Sequence, residues 1–93
     1  MFIVKETFIA KPGSAGKLAK LMKESMENVK ARVMLDYVAN YNTIVVEYEV
    51  KSLAEFDKML SEYKNMKPEM KAKMSGYTEL YQTGKREIFQ VVE

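Results

Sequence analysis

The chain has 93 residues, of which 47% are apolar and 30% are charged, and 15 basic against 13 acidic side chains leave a net charge of +2. This composition is typical of one folded, water-soluble domain, and so small a charge excess does not favour nucleic acid as a partner. No apolar run approaches the length of a membrane span, and no basic leader precedes one, so we expect no membrane association and a cytoplasmic location.

Cysteine and histidine are both absent from the sequence. The chain therefore cannot form a disulfide, a thiolate nucleophile, a zinc site of Cys and His ligands, a histidine-ligated haem or a Ser-His-Asp triad. Any acid–base chemistry would fall to Glu, Asp, Lys or Tyr, and any metal would be a hard cation on carboxylate oxygens. We expect neither a cofactor nor a metal.

A strand and a helix are predicted at the start of the chain. Residues 2–10 are rich in β-branched and aromatic side chains and end at a Lys-Pro-Gly turn, which predicts a strand. Apolar residues then recur at helical spacing over residues 15–29, with lysine and glutamate on the opposite side and Ser14 in the N-cap position. This pattern predicts an amphipathic helix with one buried stripe.

A β-hairpin is predicted next. Residues 33–39 and 43–50 are two apolar-rich runs separated by an Asn-Tyr-Asn turn. If Ala39 pairs with Ile44, one face of the hairpin is entirely apolar or aromatic, and a one-residue slip would destroy this agreement. The other face mixes apolar and acidic side chains.

A second helix begins at Ser52, where Glu55 has the spacing of a capping box. Its apolar stripe continues until Pro68 forces a break or a kink. A shorter helical turn over residues 69–75 then ends at Gly76, which suits the C′ position.

Strand character returns over residues 77–92, interrupted at residues 83–84 by a bend, a bulge or a second hairpin. The resulting order is strand, helix, strand, strand, helix, strand. Two right-handed crossovers in that order give a four-stranded antiparallel sheet with both helices on one face. The prediction is therefore a single α+β domain of ferredoxin-like βαββαβ fold over residues 1–93.

The face of the sheet turned away from the helices carries more apolar side chains than is usual for a face exposed to solvent. It carries either Ile3 and Ile9 or Phe2, Val4 and Phe8, depending on how the first strand faces. Further apolar residues lie beside them: Met34, Val38 and Val45. A second copy of the same sheet would cover this patch, which predicts a homodimer, and the alternative is an exposed surface of mixed character.

Three segments together resemble the NIPSNAP-like branch of the dimeric α+β barrel superfamily, which includes antibiotic-biosynthesis-type monooxygenases. They are the Lys11-Pro12-Gly13 turn, the hairpin and helix start of residues 41–56, and residues 86–92. The resemblance covers nearly the whole chain and implies a homodimer with facing sheets and a pocket between sheet and helices in each subunit. The chain lacks tryptophan and histidine, so neither the Trp-containing oxygenase pocket nor the haem site transfers.

Glu6 is the first candidate for a functional group and the one candidate for a catalytic role. If its strand presents Val4, Phe8 and Ala10 to the helices, Glu6 lies among them as a partly desolvated carboxylate that could act as a general base. In the alternative, which is the commoner arrangement, Glu6 is solvated or paired with a neighbour, because buried unpaired acids are rare.

Tyrosine and methionine side chains supply the other candidates for ligand binding. The hydroxyls of Tyr37, Tyr48 and Tyr63 could orient a ligand in the same space, although such tyrosines are more often core residues. Met66 and Met70 repeat at helical spacing, and flexible thioethers suit either an adaptable apolar pocket or an irregular core.

Acidic residues of the hairpin bear on two possible functions, metal binding and RNA binding. In the predicted register Asp36 lies opposite Glu47, with Glu49 nearby. These carboxylates could hold a hard cation, but surface pairing with basic side chains explains them more simply. They would also repel phosphate on the strand face that an RNA-recognition module uses, so we reject RNA binding.

Two functions remain open. The first is a homodimer that binds a small apolar or aromatic molecule between sheet and helices, with cofactor-free oxygenase-like chemistry as its enzymatic form. The second is a non-catalytic self-associating domain whose interior is filled by its own side chains. Neither the substrate nor the presence of a reaction follows from the residues.

Overall fold

The secondary structure follows the predicted order. A computed structural model describes residues 1–92, apart from the side chains of Met70 and Lys73. Its elements are β1 (Phe2–Ala10), α1 (Ala15–Ser25), β2 (Ala31–Leu35), β3 (Thr43–Val50), α2 (Leu53–Lys64), α3 (Pro68–Met74), a 3-10 turn (Tyr77–Glu79) and β4 (Tyr81–Gln90). The strands form one antiparallel sheet in the order β2-β3-β1-β4. The predicted ferredoxin-like βαββαβ fold is confirmed.

The helices pack against one face of the sheet, which we call the inner face. The buried core residues are Val4, Ala10, Leu18, Met22, Ile44, Val46, Tyr48, Val50, Phe56 and Met74. Those of β1 and β3 lie at alternate positions and share one face, since Val4 stands opposite Tyr48. The whole chain is 18 Å thick in its shortest direction, about one sheet and one helix layer. No described element covers the other face, which we call the open face.

The two boundaries of the second helical region match their sequence signals. The backbone N–H of Glu55 donates to the Ser52 hydroxyl over 3.1 Å, and the Glu55 carboxylate accepts from the Lys51 N–H over 2.8 Å. These bonds satisfy amide groups that the first turn of a helix leaves free. Pro68 begins α3, and Gly76 follows it with a φ of +78°. The predicted start of α2 and the glycine stop after α3 are therefore confirmed.

Helix α1 ends earlier than its apolar pattern predicts. It runs to Ser25 instead of residue 29, and the Ser25 hydroxyl donates to the carbonyl of Met22 over 2.9 Å. Serine side chains that bond to nearby carbonyls compete with the helical backbone pattern. Met26 and Val29 still pack against the core from the turn that follows, so the apolar stripe continues beyond the helix.

The hairpin of β2 and β3 differs from the prediction by four residues in register. Leu35 stands opposite Ile44, where Ala39 was expected, because β2 ends there and a loop follows. Asp36 closes that loop: its carboxylate accepts from the Thr43 N–H over 3.1 Å, and its own N–H donates to the Thr43 carbonyl over 3.0 Å. A shift of four residues is even, so the strand keeps its predicted facing.

Strand β4 is continuous across residues 83–84, which excludes the second hairpin among the three alternatives. Its pairing with β1 changes register between Ile9 and Ala10, next to Tyr81. Gly84 lies against the Phe8 ring, and a Cβ at this position would approach that ring to 3.2 Å. Phe8 in turn packs on Tyr81 with ring centroids 5.0 Å apart. The absence of a side chain at Gly84 therefore leaves room for the Phe8 ring on the inner face.

The open face has the mixed character that the sequence predicts. Its apolar residues are Ile3, Ile9, Met34, Val45 and Phe89, which alternate with charged residues along the strands. Val38 is not among them, because it lies in the loop after β2 and is almost fully exposed. The choice left open for β1 is thus settled in favour of Ile3 and Ile9 outward.

Candidate functional site

Glu6 lies on the inner face and forms an ion pair with Arg86. It occupies the same alternation of β1 as Val4, and Arg86 stands directly opposite it on β4. Both Nε and a terminal nitrogen of Arg86 lie 2.7 Å from Oε1 of Glu6. The Glu6 side chain is 15% exposed and that of Arg86 is 47% exposed. The structure therefore combines the two readings of Glu6, which is both inward-facing and paired.

Aromatic rings surround this ion pair. Phe56 is buried on α2, and the guanidinium carbon of Arg86 lies 5.4 Å from the centre of its ring, a cation–π distance. Tyr48 is buried on β3, and the charges of both Glu6 and Arg86 affect the pKa of its hydroxyl. We call these four residues, Glu6, Arg86, Phe56 and Tyr48, the Glu6–Arg86 cluster.

Three further tyrosines line the region beside the cluster. Partial burial raises the pKa of Tyr63 on α2, and the Tyr77 hydroxyl and, less strongly, the Glu6 carboxylate act in the same direction. Tyr77 and Tyr81 pack with ring centroids 6.0 Å apart. Burial, followed by the charge on Tyr77, also raises the pKa of Tyr81. The hydroxyls of Tyr63 and Tyr81 therefore stay protonated at neutral pH.

Tyr48 is the cluster's second polar group. Burial raises its pKa to about 12, the charge of Glu6 acts in the same direction, and that of Arg86 opposes it. A hydroxyl in this state is a neutral hydrogen-bond donor next to a charged pair. It can orient a ligand oxygen, and it supplies no proton acceptor near pH 7.

The titration of Tyr48 gives a testable pH dependence. Because the folded-state pKa lies above the unfolded value of 10.0, the neutral hydroxyl stabilises the fold fully below pH 10, and this contribution is lost as the pH rises to about 12. We expect Tyr48→Phe to decline less in free energy of unfolding over that interval, and to lose the phenolate absorbance step near pH 12. Urea denaturation and absorbance at 295 nm measure the two effects. An unchanged absorbance titration in the variant would contradict the assignment.

The structure brings together some of the sequence candidates and separates others. Glu6, Tyr48 and Tyr63 lie in one region, and their role in ligand binding stays a prediction. Met66 is half-buried and packs against the core, and the side chain of Met70 lies outside the described residues. The prediction for Tyr37 was wrong: it belongs to the loop after β2 and is fully exposed, because the strand ends two residues before it.

The predicted cluster of acidic residues on the hairpin does not form. Arg32, and not Asp36, stands opposite Glu47, and its guanidinium lies 2.6 Å from the Glu47 carboxylate. Asp36 is engaged with Thr43 in the loop. Among residues 1–92, with the exceptions stated above, no three acidic side chains lie close enough together to hold a metal ion.

Arg86 is a member of the candidate site that the sequence does not predict. It lies 80 residues from Glu6 along the chain, and only the pairing of β1 with β4 brings the two together. The available signal was the two-residue period of a strand, which places Arg86 on the face opposite to Lys85 and Glu87. The uncertain break at residues 83–84 concealed that register.

Two surface grooves lie away from the cluster. One, of about 590 Å³, is lined by Met1, Gln90, Val91 and Val92 at one end of β4. The other, of about 570 Å³, runs between the end of α1 and the edge of β2, with Met26, Val29, Ala31 and Val33 among its lining residues. Both are open and shallow, and neither touches the Glu6–Arg86 cluster.

Comparison with solved structures identifies the fold. Agrobacterium tumefaciens protein Atu4242 superposes with a TM-score of 0.84 at 14% identity, covering 99% of this chain and 94% of that one. A NIPSNAP domain protein from Burkholderia xenovorans gives a TM-score of 0.78 at 10% identity, with 99% and 95% covered. A putative antibiotic biosynthesis monooxygenase from Chloroflexus aurantiacus gives 0.74 at 14% identity, with 99% and 93% covered.

The chain has the fold shared by NIPSNAP and antibiotic biosynthesis monooxygenase domains. The resemblance noted in the sequence is thus confirmed at the level of the fold. No family model and no curated protein matches the sequence. A fold shared at such low identity does not determine a reaction.

Proposed function

We propose that residues 1–93 are one ferredoxin-like domain that forms a homodimer through its open face and binds a small apolar or aromatic molecule beside the Glu6–Arg86 cluster. The observation that carries the ligand site is a charged pair set among aromatic rings on the inner face. Ligand sites in proteins are mostly apolar and hold a few well-placed polar groups. This cluster has that composition.

The hydrogen bonds of the ion pair determine which ligand groups fit. Both short contacts from Arg86 reach the same oxygen, Oε1, which leaves Oε2 without a donor among the described side chains. A ligand hydroxyl could donate to Oε2, while the exposed part of the guanidinium could bind a ligand oxygen. The rings of Phe56 and Tyr63 would pack on an aromatic body. A phenol fits these requirements.

If the protein is an enzyme, the reaction that we propose is a cofactor-free, oxygenase-like one. Three of the proteins with this fold are called antibiotic biosynthesis monooxygenases, two of them with the word putative. Glu6 would then take a proton from the bound phenol through Oε2, as general bases do at hydrogen-bond distance. No residue of this chain other than Glu6 is proposed for that step.

A non-catalytic self-associating domain is the second candidate. The observation in its favour is that Arg86 already neutralises the charge of Glu6 over two short contacts. An ion pair satisfied in this way needs no ligand. The two candidates differ in whether the region beside the pair admits a molecule.

Binding of 1-naphthol, measured by isothermal titration calorimetry, distinguishes the two candidates. We expect wild-type protein to bind it and Glu6→Gln to bind it roughly tenfold or more weakly, because a hydrogen bond to a charged acceptor is replaced by a neutral one. Glu62→Gln, which removes an exposed carboxylate of α2, is the matched control and should bind as wild type does. Absence of binding, or equal binding by Glu6→Gln, supports the self-associating domain instead.

The environment of the protein is the last part of the proposal. Within residues 1–92, no helix combines the length and the apolar character needed to cross a membrane. The cytoplasmic location expected from the sequence remains a prediction, which fractionation of expressing cells would test.

A further inference from the structure

Gly84 lies within β4 on the inner face, two residues from Arg86. It stands directly opposite Phe8, just as Arg86 stands opposite Glu6. Two residues of a strand span about 7 Å, so the glycine lies close beside the ion pair. Gly84 is exposed, although it belongs to the face that the helices cover elsewhere. A stretch of bare backbone therefore adjoins the Glu6–Arg86 cluster.

The backbone conformation does not require a glycine at this position. Gly13 and Gly76 have a positive φ, and Gly84 is not among the residues that do. Its conformation is therefore open to any residue, and a glycine inside a strand lowers stability relative to a residue with a side chain. What the glycine contributes is the space that a side chain would fill.

Packing within the protein accounts for only part of that space. A Cβ at Gly84 would lie 3.2 Å from Cδ1 of Phe8 and 3.4 Å from Cε2 of Tyr81. Both rings are only half-buried, so a shift of a few tenths of an ångström would relieve these contacts. The exposed side of the glycine remains open to solvent. A glycine in a strand often marks a place where a ligand approaches the backbone closely.

We propose that Gly84 determines the size of the ligand at the candidate site, because its bare backbone accommodates the second ring of a fused bicyclic phenol. This inference rests on the proposed function and adds a substrate class to it. The ring with the hydroxyl lies beside the ion pair, with the hydroxyl on Oε2 of Glu6. The second ring lies over Gly84, next to the rings of Phe8 and Tyr81.

The geometry of the two neighbouring rings suits an aromatic ligand. Phe8 and Tyr81 have centroids 5.0 Å apart and are inclined by 56° to each other. Aromatic rings prefer such tilted and offset arrangements, so a third ring can pack against this pair in the same way. These rings and Gly84 lie on the side of the ion pair toward the start of β4.

The distance between the glycine and the ion pair separates two kinds of phenol. A single ring held by its hydroxyl at Glu6 does not extend over Gly84, since the two strand positions are about 7 Å apart. A fused second ring does. A side chain at position 84 should therefore weaken the binding of a bicyclic phenol and leave that of a monocyclic one unchanged.

Gly84→Ala and Gly84→Val test this difference in NMR titrations with 1-naphthol and with phenol. We expect Gly84→Val to bind 1-naphthol roughly tenfold more weakly than wild type, because a misfit of one methylene group in an apolar site changes discrimination by about tenfold or more. Gly84→Ala should lie between the two. Binding of phenol should change by less than about twofold in both variants, since phenol does not reach the added atoms.

Gly16→Ala is the matched control. A Cβ at Gly16 would meet no atom of a neighbouring element within 4 Å, so this variant should bind both compounds as wild type does. The backbone amide of Gly84 in wild type gives a direct reading, because a ring lying over it shifts its resonance. We expect 1-naphthol to shift this resonance more than phenol does.

The possible outcomes separate this inference from the function on which it rests. Unchanged 1-naphthol binding in Gly84→Val, or equal weakening for both compounds, would overturn the role of Gly84. Circular dichroism of each variant verifies that it is folded, and retained phenol binding verifies that the ion pair is intact. A wild-type protein that binds neither compound would overturn the proposed function itself.

Discussion

Leu18→Ala is expected to lower the free energy of unfolding by about 3 kcal/mol, within the range measured for buried leucines cut back to alanine. Leu18 is fully buried and lies in the core with Ile44 and Val46. The truncation removes apolar contacts and leaves a cavity that α1 and the sheet cannot fully close. Urea denaturation followed by circular dichroism measures the change.

Leu53→Ala provides the matched control, because it deletes the same atoms from a leucine that is 51% exposed at the start of α2. Its loss should stay below about 1 kcal/mol. Both variants must be compared with wild type at one protein concentration, since the stability of the proposed dimer would depend on concentration. Equal losses at the two leucines would mean that α1 is not anchored in the core as described.

The parts of the fold that follow from the sequence are those with local causes. Ser52 and Glu55 begin a helix because their side chains satisfy amide groups within the same turn, and Gly76 ends one because it accepts a positive φ. The alternation along β1 places Val4, Glu6 and Ala10 on one side of the strand, although it leaves open which side faces the helices. Each of these signals lies within ten residues of the feature that it determines.

The parts that do not follow have causes elsewhere in the chain. Residues 37–39 have the composition of a strand, yet the hydrogen bonds between Asp36 and Thr43 close the hairpin before them. The side chains of Tyr37 and Val38 therefore point to solvent, and composition alone cannot foresee that. The pairing of Glu6 with Arg86 depends on the register between the first and last strands, which no local pattern specifies.

The candidate site was predicted in part for the same reason. Alternation along β1 and β3 brings Glu6 and Tyr48 onto one face, so half of the Glu6–Arg86 cluster could be inferred. Arg86 changes the chemistry expected of Glu6, because it occupies one carboxylate oxygen and leaves only Oε2 for a ligand hydroxyl. The pairing of Glu6 with Arg86 is therefore the feature that the stability measurements below test.

Arg86→Met tests whether the ion pair contributes to stability. We expect it to lower the free energy of unfolding by about 2 kcal/mol, because it leaves the carboxylate of Glu6, whose side chain is 15% exposed, without its donor among aromatic rings. Lys58→Met, which removes an exposed positive charge of α2, should change the stability by less than about 0.5 kcal/mol.

A double-mutant cycle with Glu6→Gln then isolates the pair itself. If the loss in Arg86→Met comes from the stranded carboxylate, adding Glu6→Gln should recover about 1 to 2 kcal/mol, because a neutral amide costs less to bury than an unpaired charge. If Arg86 acts only through its packing on Phe56, the two losses should simply add. Additivity within about 0.3 kcal/mol would therefore remove the ion pair from the candidate site and leave its aromatic rings as a core.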